Sequence, residues 1–493
     1  MKSFILLKQV FNLWEFKMKK KVCVVLVVGL LCLVGSISTG IKTDENDFEI
    51  KQDKIFKDQY YKNYEEYSVM QISPEYIKRH EEEYRNSERA YIDPDLMEEI
   101  QATERYSILD LLEYVPSERN QGRCGNCWAW PSTAILAMAL NIQEGIKDRL
   151  SVQFINTCGE EYTGGMNSIE CCGGGTLEMF ANFYKYTNFA IPWTNTMAHW
   201  HDGVKNNCKT DCNEISKTPY YPIYDIDSVV IPTRSVTTEE AIENIKNVLH
   251  QQKGVYFSIM YPDLEDLRNF QDMWSDDAED ESYDLDYYCG NEWNEEEAVG
   301  HALLIVGYND VEGTENDYWI VLNSWGTTDK RPNGLIAWDM HMDYDCKYSN
   351  YNAFAAKTLN VIFKPDPNAP EKPTIVGPSS GEPDKEYTFE LSANDPQGDN
   401  VSIYIKWDSG LIGSGWLGPV NSGEVIQVSH TWDESETYII RAKARDTNNN
   451  VSEWTSFEIN LPKTKSFKHP IINFLENHPY LFPQLLQLLL RTN

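Results

Sequence analysis

Residues 120–130 read Asn120-Gln121-Gly122-Arg123-Cys124-Gly125-Asn126-Cys127-Trp128-Ala129-Trp130 and run directly into Ile135, Met138, Ala139 and Ile142. Those apolar positions are spaced as one face of a helix. A thiol at the start of that helix lies beside the positive end of the helix dipole and beside backbone amides with no intrahelical partner. Both favour thiolate and lower the pKa. Cys127 is therefore the candidate nucleophile. Its own amide is placed to donate to an oxyanion, and the side-chain amide of Gln121, across a glycine-containing turn, is the candidate second donor. Pro131 falls early in the helix, and the loss of its donor is tolerated only in the first turn, so the helix start is expected to be distorted.

A thiolate needs an imidazolium partner. His301 opens the apolar run Ala302-Leu303-Leu304-Ile305-Val306-Gly307-Tyr308, which reads as a buried strand; a second strand, 318–322, ends at Asn323-Ser324-Trp325-Gly326. Paired as a hairpin about a midpoint near residue 312, the two strands set His301 beside Asn323. An asparagine oxygen accepts from one ring nitrogen and aims the other at sulfur, and Trp325 would shield that bond. Gly300 and Ala302 flank the histidine and leave an open wall. The chemistry this set suits is acyl transfer through a thioester. A lone Cys is usually half of a disulfide and a lone His usually structural, so the weight lies on the combination.

The run from Gln121 to Trp128, then His301-Ala302, then Asn323-Ser324-Trp325-Gly326 resemble the papain-like cysteine peptidases in order and local context. The resemblance covers roughly residues 107–363. It implies an α+β, two-lobed domain, helical on the Cys127 side and β-barrel-like on the His301 side, with the site in the cleft. It gives Gln121 to the oxyanion hole, Cys127 to the nucleophile, His301 to the base and Asn323 to the orienter. It also implies substrate contacts from Gly125, Trp128, Gly300 and Trp325, and a backbone rail at Gly173 and Gly174, within Cys171-Cys172-Gly173-Gly174-Gly175. Peptides or proteins are the implied substrates, and no cofactor is expected. For the disulfides the resemblance implies Cys124 with Cys171 or Cys172, Cys158 with Cys208 or Cys212, and Cys289 with Cys346.

This sequence departs from the family pattern in places. His301 and Asn323 lie farther downstream of Cys127 than the ~130 to 150 residues usual in papain-like enzymes, so insertions are expected. The acidic segment 263–297 is the obvious one, read here as a solvated loop. His199, His201, Cys208 and Cys212 offer a rival reading as a zinc site of a metal-dependent hydrolase, since ligand types and spacing suit that metal. Exported cysteines more often pair with one another, which favours no metal. A second rival is a papain-like surface protein that has lost activity; the intact four-residue set argues against it.

At 493 residues the chain exceeds a single core, and 41% hydrophobic residues suffice for folded domains. A net charge of -33 argues against nucleic acid and anionic lipid as partners of the main body, and reads as a solvated acidic surface. Calcium is disfavoured, because no loop has the helix-loop-helix ligand spacing. Lys19, Lys20 and Lys21 precede an apolar run, 22–34, and then Gly35, Ser36 and Ser38, the order of a secretory signal; Met18 is a candidate start. The run is shorter than the ~20 residues of a spanning helix, though an anchor extending to Ile37 is an alternative. Setting aside Cys23, Cys32 and Cys127 leaves Cys124, Cys158, Cys171, Cys172, Cys208, Cys212, Cys289 and Cys346, an even set suited to an oxidising compartment.

The organisation expected is an export signal at 1–40, an N-terminal extension at 41–104, the peptidase-like domain at 105–363, a Pro-rich linker at 364–383, a sandwich at 384–462 and a basic, leucine-rich tail at 463–493. The extension is tyrosine-rich, helical in pattern and without an obvious core. It stands where the family carries an inhibitory propeptide, although the usual propeptide motif is not intact. Alternating segments 387–391, 401–407, 425–432, 438–444 and 454–461, separated by turn clusters, predict an all-β sandwich. It resembles the PKD-like or immunoglobulin-like modules of exported enzymes, with adhesion to a cell surface or polymer, or spacing, as its expected role.

Overall fold

The computed structural model describes residues 67–462, apart from 164–168, 205–207, 280, 284–288, 291, 295–296, 312–316, 365, 408–412 and 449. The expected export signal, residues 41–66 of the extension and the tail lie outside the described residues. No helix among the described residues is long and apolar enough to cross a membrane.

The N-terminal extension is not coreless. It begins as a short strand, β1 (Met70–Gln71), and continues into α1 (Pro74–Asn86). Ser73 caps α1 by accepting from the Tyr76 amide at 3.1 Å, and Pro74 occupies the first turn, where its missing donor costs nothing. A second helix, α2 (Met97–Ala102), completes this strap, and β2 (Arg105–Ser107) follows it. Tyr76, Ile77, His80, Glu83 and Tyr84 of α1 are buried. Its core is the surface of the domain it lies on, which periodicity within the strap alone does not reveal.

The helical lobe is built on α3 (Ala129–Glu144), α4 (Val152–Thr163) and α5 (Leu177–Thr187). Helix α3 is buried on most sides, as an all-round apolar helix must be. Pro131 is its third residue, inside the first turn whose amides lack partners in any case, so the expected distortion is not needed. Gly145 ends α3 at φ 67°, the left-handed conformation that glycine adopts without strain.

The other lobe is a nine-stranded sheet. It contains β3 (Asp225–Val230), then α6 (Thr238–His250), β4 (Val255–Tyr261), α7 (Leu264–Asp276) and β5 (Ser282–Tyr283). These are followed by β6 (Val299–Asn309), β7 (Tyr318–Leu322), β8 (Leu335–Asp339) and β9 (Phe354–Ile362). The strand order is β3-β9-β4-β6-β7-β8-β5, with β1 and β2 both pairing β6. Every pairing is antiparallel except β8 with β5. Strand β6 is central and buried on both faces, which explains its unbroken apolar run.

The acidic insertion corrects its sequence reading. It is not simply a solvated loop, because residues 264–276 form α7. Asp263 caps it by accepting from the Glu265 and Asp266 amides, and Leu267, Phe270, Met273 and Trp274 are buried. Those four are spaced as one helix face, a stripe that the acid-rich composition masks. Arg331 fastens the helix from below, donating to the carbonyls of Met273 and Trp274.

The C-terminal domain is the predicted sandwich with two more strands than the alternation disclosed. One sheet is β10 (Thr374–Val376), β11 (Glu386–Ser392) and β14 (Ile426–Thr431). The other is β12 (Val401–Lys406), β13 (Gly413–Val420), β15 (Thr437–Asp446) and β16 (Thr455–Asn460), in the order β13-β12-β15-β16. Phe389, Ile403, Ile405, Trp407, Ile440 and Ile459 fill its core. The missed strand β13 carries glycines and Pro419, which disguise its pattern. The sandwich packs on the rest of the chain: Lys443 pairs with Asp227 of β3 at 3.1 Å and with Glu88 of the strap at 2.8 Å. The Trp416 indole also donates to Glu88, and the Arg445 guanidinium lies 5.0 Å from the Tyr91 ring.

Candidate active site

Two loops bring the candidate residues together. The Gln121 amide donates to the Ser324 carbonyl at 2.8 Å, the Gly326 amide to the Arg119 carbonyl at 2.9 Å, and the Arg119 side chain to the Asn323 carbonyl at 3.0 Å. The loop before Cys127 is thereby tied to the loop after β7. Arg119 and Ser324 are site-building residues that the motif reading missed. Ser324 stood inside the quoted motif; Arg119 carried no signal, because its role is to a backbone group distant in sequence.

The β6–β7 hairpin forms in a slightly different register from the one expected. Leu304 faces Leu322, a bulge follows, and the ladder ends before His301 is reached. The side chains bridge the remaining gap: His301 Nε2 bonds Asn323 Oδ1 at 2.8 Å. The Ser324 amide donates to the same oxygen at 2.7 Å, which fixes the asparagine's orientation. His301 Nδ1 has no hydrogen-bond partner among the described residues. On the neighbouring backbone the Cys127 thiol donates to the Gly300 carbonyl at 3.9 Å, and the Ala302 amide is directed at the sulfur. Trp325 stacks on the imidazole with ring centroids 4.6 Å apart, and Phe270 of α7 approaches both rings. The expected shielding is therefore shared with the insertion helix.

The remaining candidates line the same cleft. Trp128 donates to the Gly173 carbonyl at 3.0 Å, and the Gly125 amide donates to the Cys172 carbonyl at 3.1 Å. A Cβ on Gly300 would stand 2.8 Å from Met70 Cε, and one on Gly174 would stand 3.2 Å from Met70 Cβ. Glycine at both positions lets a chain pass, and the chain that passes is the strap. Its Ser68 carbonyl accepts from Gln121 Nε2 at 2.8 Å and from Trp325 Nε1 at 3.0 Å. Met70 pairs with Gly300, and the Tyr67 ring lies against Trp325.

This covering reverses the electrostatics expected from sequence. Cys127, His301 and Gln121 are 0% exposed. Burial pushes the Cys127 thiol up to about 12, against the opposing pull of the Ala302 and Met70 amides, so the helix terminus does not win. Burial likewise pulls His301 down to about 4, against its bond to Asn323. Beneath the strap burial thus disfavours the charged form of both groups.

The cysteines leave no room for the zinc reading. Cys124 bonds Cys172, Cys158 bonds Cys212, Cys171 bonds Cys208 and Cys289 bonds Cys346, while Cys127 is free. Cys208 and Cys212 thus belong to separate disulfides, and the His201 ring is held by the His199 carbonyl and the Thr210 hydroxyl. The sulfurs of Cys171, Cys172 and Cys208 cluster within 4.8 Å, but all three are oxidised and offer no thiolate.

Residues 109–264 and 274–356 match the profile of the papain family of cysteine proteases, and the unmatched residues 265–273 fall within α7. Cathepsin L of Sarcophaga peregrina is 28% identical over 218 residues, 43% of this chain and 52% of that protein. Cathepsin S of Mus musculus is 27% identical over 219 residues, with 43% and 52% covered. The chain thus spans about half the length of these curated relatives. Among solved structures, procathepsin L 3 of Tenebrio molitor aligns at 18% identity and a TM-score of 0.34, over 65% of this chain and 93% of that one. The PKD domain of an M14-like peptidase from a Thermoplasmatales archaeon aligns at 40% identity and a TM-score of 0.19, over 20% of this chain and all of that one. The chain carries a papain-family cysteine protease domain.

Proposed function

We propose that the protein is an exported cysteine-type endopeptidase held silent by its own residues 67–104 until they are displaced. One observation carries the reading. The His301–Asn323 bond leaves Nδ1 without a partner among the described residues, the backbone on both sides of His301 meets the Cys127 thiol, and the strap's Ser68 carbonyl accepts from Gln121. Export is supported by the four disulfides and by the signal-like N-terminal sequence.

With the strap gone, water and substrate enter and the burial that holds both groups neutral is relieved. Cys127 passes its proton to His301 Nδ1, and the thiolate attacks the substrate carbonyl. The Cys127 amide and Gln121 Nε2 hold the oxyanion. His301 then protonates the leaving amine as the C–N bond breaks, giving a thioester. It next takes a proton from water, whose oxygen attacks the thioester; the acid product leaves and the thiol is restored. Asn323 keeps the ring aimed throughout.

The test is labelling of the processed protein by an epoxide peptide inhibitor, followed by mass spectrometry of the modified site. Modification of Cys127, with loss of peptide hydrolysis, is expected after removal of residues 67–104 and not before. A full-length chain as active as the processed one would refute the strap's role. A processed chain neither labelled nor hydrolytic would favour a silent binding protein.

Acid is expected to loosen α1. Burial, together with Lys357, Arg234 and Arg79, holds buried His80 well below 6.5. The released strap can protonate His80 with an ordinary pKa and the docked strap cannot, so docking weakens by about 1.4 kcal/mol per pH unit below ~6.5. Glu83 opposes this. Burial raises its carboxyl above the usual range despite Lys357, so the docked form takes up that proton first and offsets part of the His80 loss as pH falls further. The Cys127 labelling rate of the intact chain should therefore rise from pH 7 towards 5, and His80→Gln should flatten the rise.

A further inference from the structure

Lys357 of β9 is 0% exposed, and its ammonium pairs with Glu83 of the strap at 3.4 Å. The other oxygen of Glu83 accepts from the Thr176 hydroxyl at 3.2 Å. A strap carboxylate is thus held between a cation from the barrel lobe and a hydroxyl from the helical lobe. Thr176 directly follows Gly173, Gly174 and Gly175, and Lys357 faces Tyr256 across the sheet. In the same sheet Ser258 pairs with Ala302, the residue after His301. Tyr76, His80 and Glu83 share one face of α1 and enter this pocket together. The Tyr76 hydroxyl meets the Gly175 carbonyl and the Met70 sulfur, and the Met70 amide is directed at Cys127. Departure of α1 would therefore uncover a pocket bounded by Lys357 and Thr176, next to the Gly173–Gly175 rail of the candidate site.

We infer that, once the strap has left, this pocket receives an acidic side chain of the peptide substrate, selected by Lys357 with help from Thr176. The inference rests on the cysteine peptidase reading and deepens it. A buried ammonium without a partner is costly, and an apolar side chain in the pocket would dehydrate Lys357 without pairing it. A glutamate or aspartate side chain restores the contacts that Glu83 makes with Lys357 and Thr176, while its pairing with Arg79 at 4.0 Å leaves with the strap. Arg234 also pairs with the strap, through Glu81, but it keeps the Phe354 carbonyl when the strap leaves; Lys357 has no such second acceptor among the described residues. Glu178 is near enough to raise the Glu83 carboxyl, yet it is half-buried and makes no ion pair with Lys357 among the described residues.

The test uses full chains processed to remove the strap and confirmed by Cys127 labelling. Peptides differing at one position at a time, with Glu, its neutral isostere Gln, Leu or Lys, are compared by kcat/KM. One position should prefer Glu over Gln and over Leu by about 10- to 100-fold. That preference should vanish in Glu83→Gln/Lys357→Met, a pair chosen so that the precursor buries no unpaired charge. It should turn towards Lys in the charge swap Glu83→Lys/Lys357→Glu. These are ratios within one preparation, so a partly folded variant still reports, and the Glu/Gln ratio of the unmutated chain needs no variant. Hydrolysis with no acid-preferring position, or a preference that survives Lys357→Met, overturns the inference and leaves the peptidase reading standing. A processed chain that Cys127 reagents do not label, and that cleaves no peptide, overturns both.

Discussion

Replacing Cys127 by alanine is expected to leave the precursor folded with its four disulfides and to reduce peptide hydrolysis by the processed protein by at least about 10⁴-fold. The two halves of this expectation have separate causes. In the precursor the thiol's contacts are weak, a bond to the Gly300 carbonyl at 3.9 Å and the Ala302 and Met70 amides directed at the sulfur, and it belongs to none of the disulfides. Losing a single sulfur atom there leaves a small void and no unsatisfied charge, so stability should change little. In the processed chain the proposed reaction forms its thioester on that same atom, and neither His301 nor the oxyanion donors can replace it. Urea denaturation of the precursor and kcat/KM of the processed form separate the two. Residual hydrolysis within tenfold of the unmutated chain would show that another group carries the reaction. Loss of the precursor fold would show that the thiol has a structural role the geometry does not suggest.

The site was legible in sequence where chemistry and local structure coincide. A cysteine opening an apolar helix and a histidine opening a buried strand each bring a spacing rule with them. What the sequence withheld depends on contacts between distant segments. The ionisation state is the clearest case: the helix start argues for a depressed thiol pKa, yet burial by Ser68 to Met70 drives it to about 12, because desolvation exceeds a terminal dipole. Helix α7 was concealed for another reason. Acidic residues dominate the composition of 263–297, while Phe270 and Trp274 decide where the segment packs. The strap shows the same limit. Tyr76, His80 and Glu83 look like an ordinary mixed helix face until the surface that buries them is seen, and only then does the pairing of Glu83 with Lys357 acquire meaning.

The second large effect is expected at Lys443, where substitution by methionine should destabilise the chain by about 3–5 kcal/mol, the cost of stripping a buried ion network of a shared partner. Lys443 lies 2.8 Å from Glu88 of the strap and 3.1 Å from Asp227 of β3, with the Trp454 ring 4.9 Å away. Without it Asp227 keeps Lys185 and Lys406, whereas Glu88 keeps the Trp416 indole and, among the described residues, only the more distant attraction of Arg445 and Lys253. The loss should therefore fall mainly on the strap. Adding Glu88→Gln should cost less in the Lys443→Met background than in the unmutated chain, and a double-mutant cycle in urea measures that coupling. Additive effects, or a loss below about 1 kcal/mol, would show that the three segments do not share this network. The network also bears on how the strap opens. Burial would raise the Asp227 carboxyl, but Lys185, Lys443 and Lys406 outweigh it and hold the group well below the usual carboxylate range. A carboxylate depressed in this way contributes stability above its ordinary value near ~3.9 and loses it only as pH falls towards the depressed one. At pH 5 the anchor at Asp227 is intact while His80 favours release, so acid should free the strap from the cleft end first and leave it tethered through Glu88 to the sandwich.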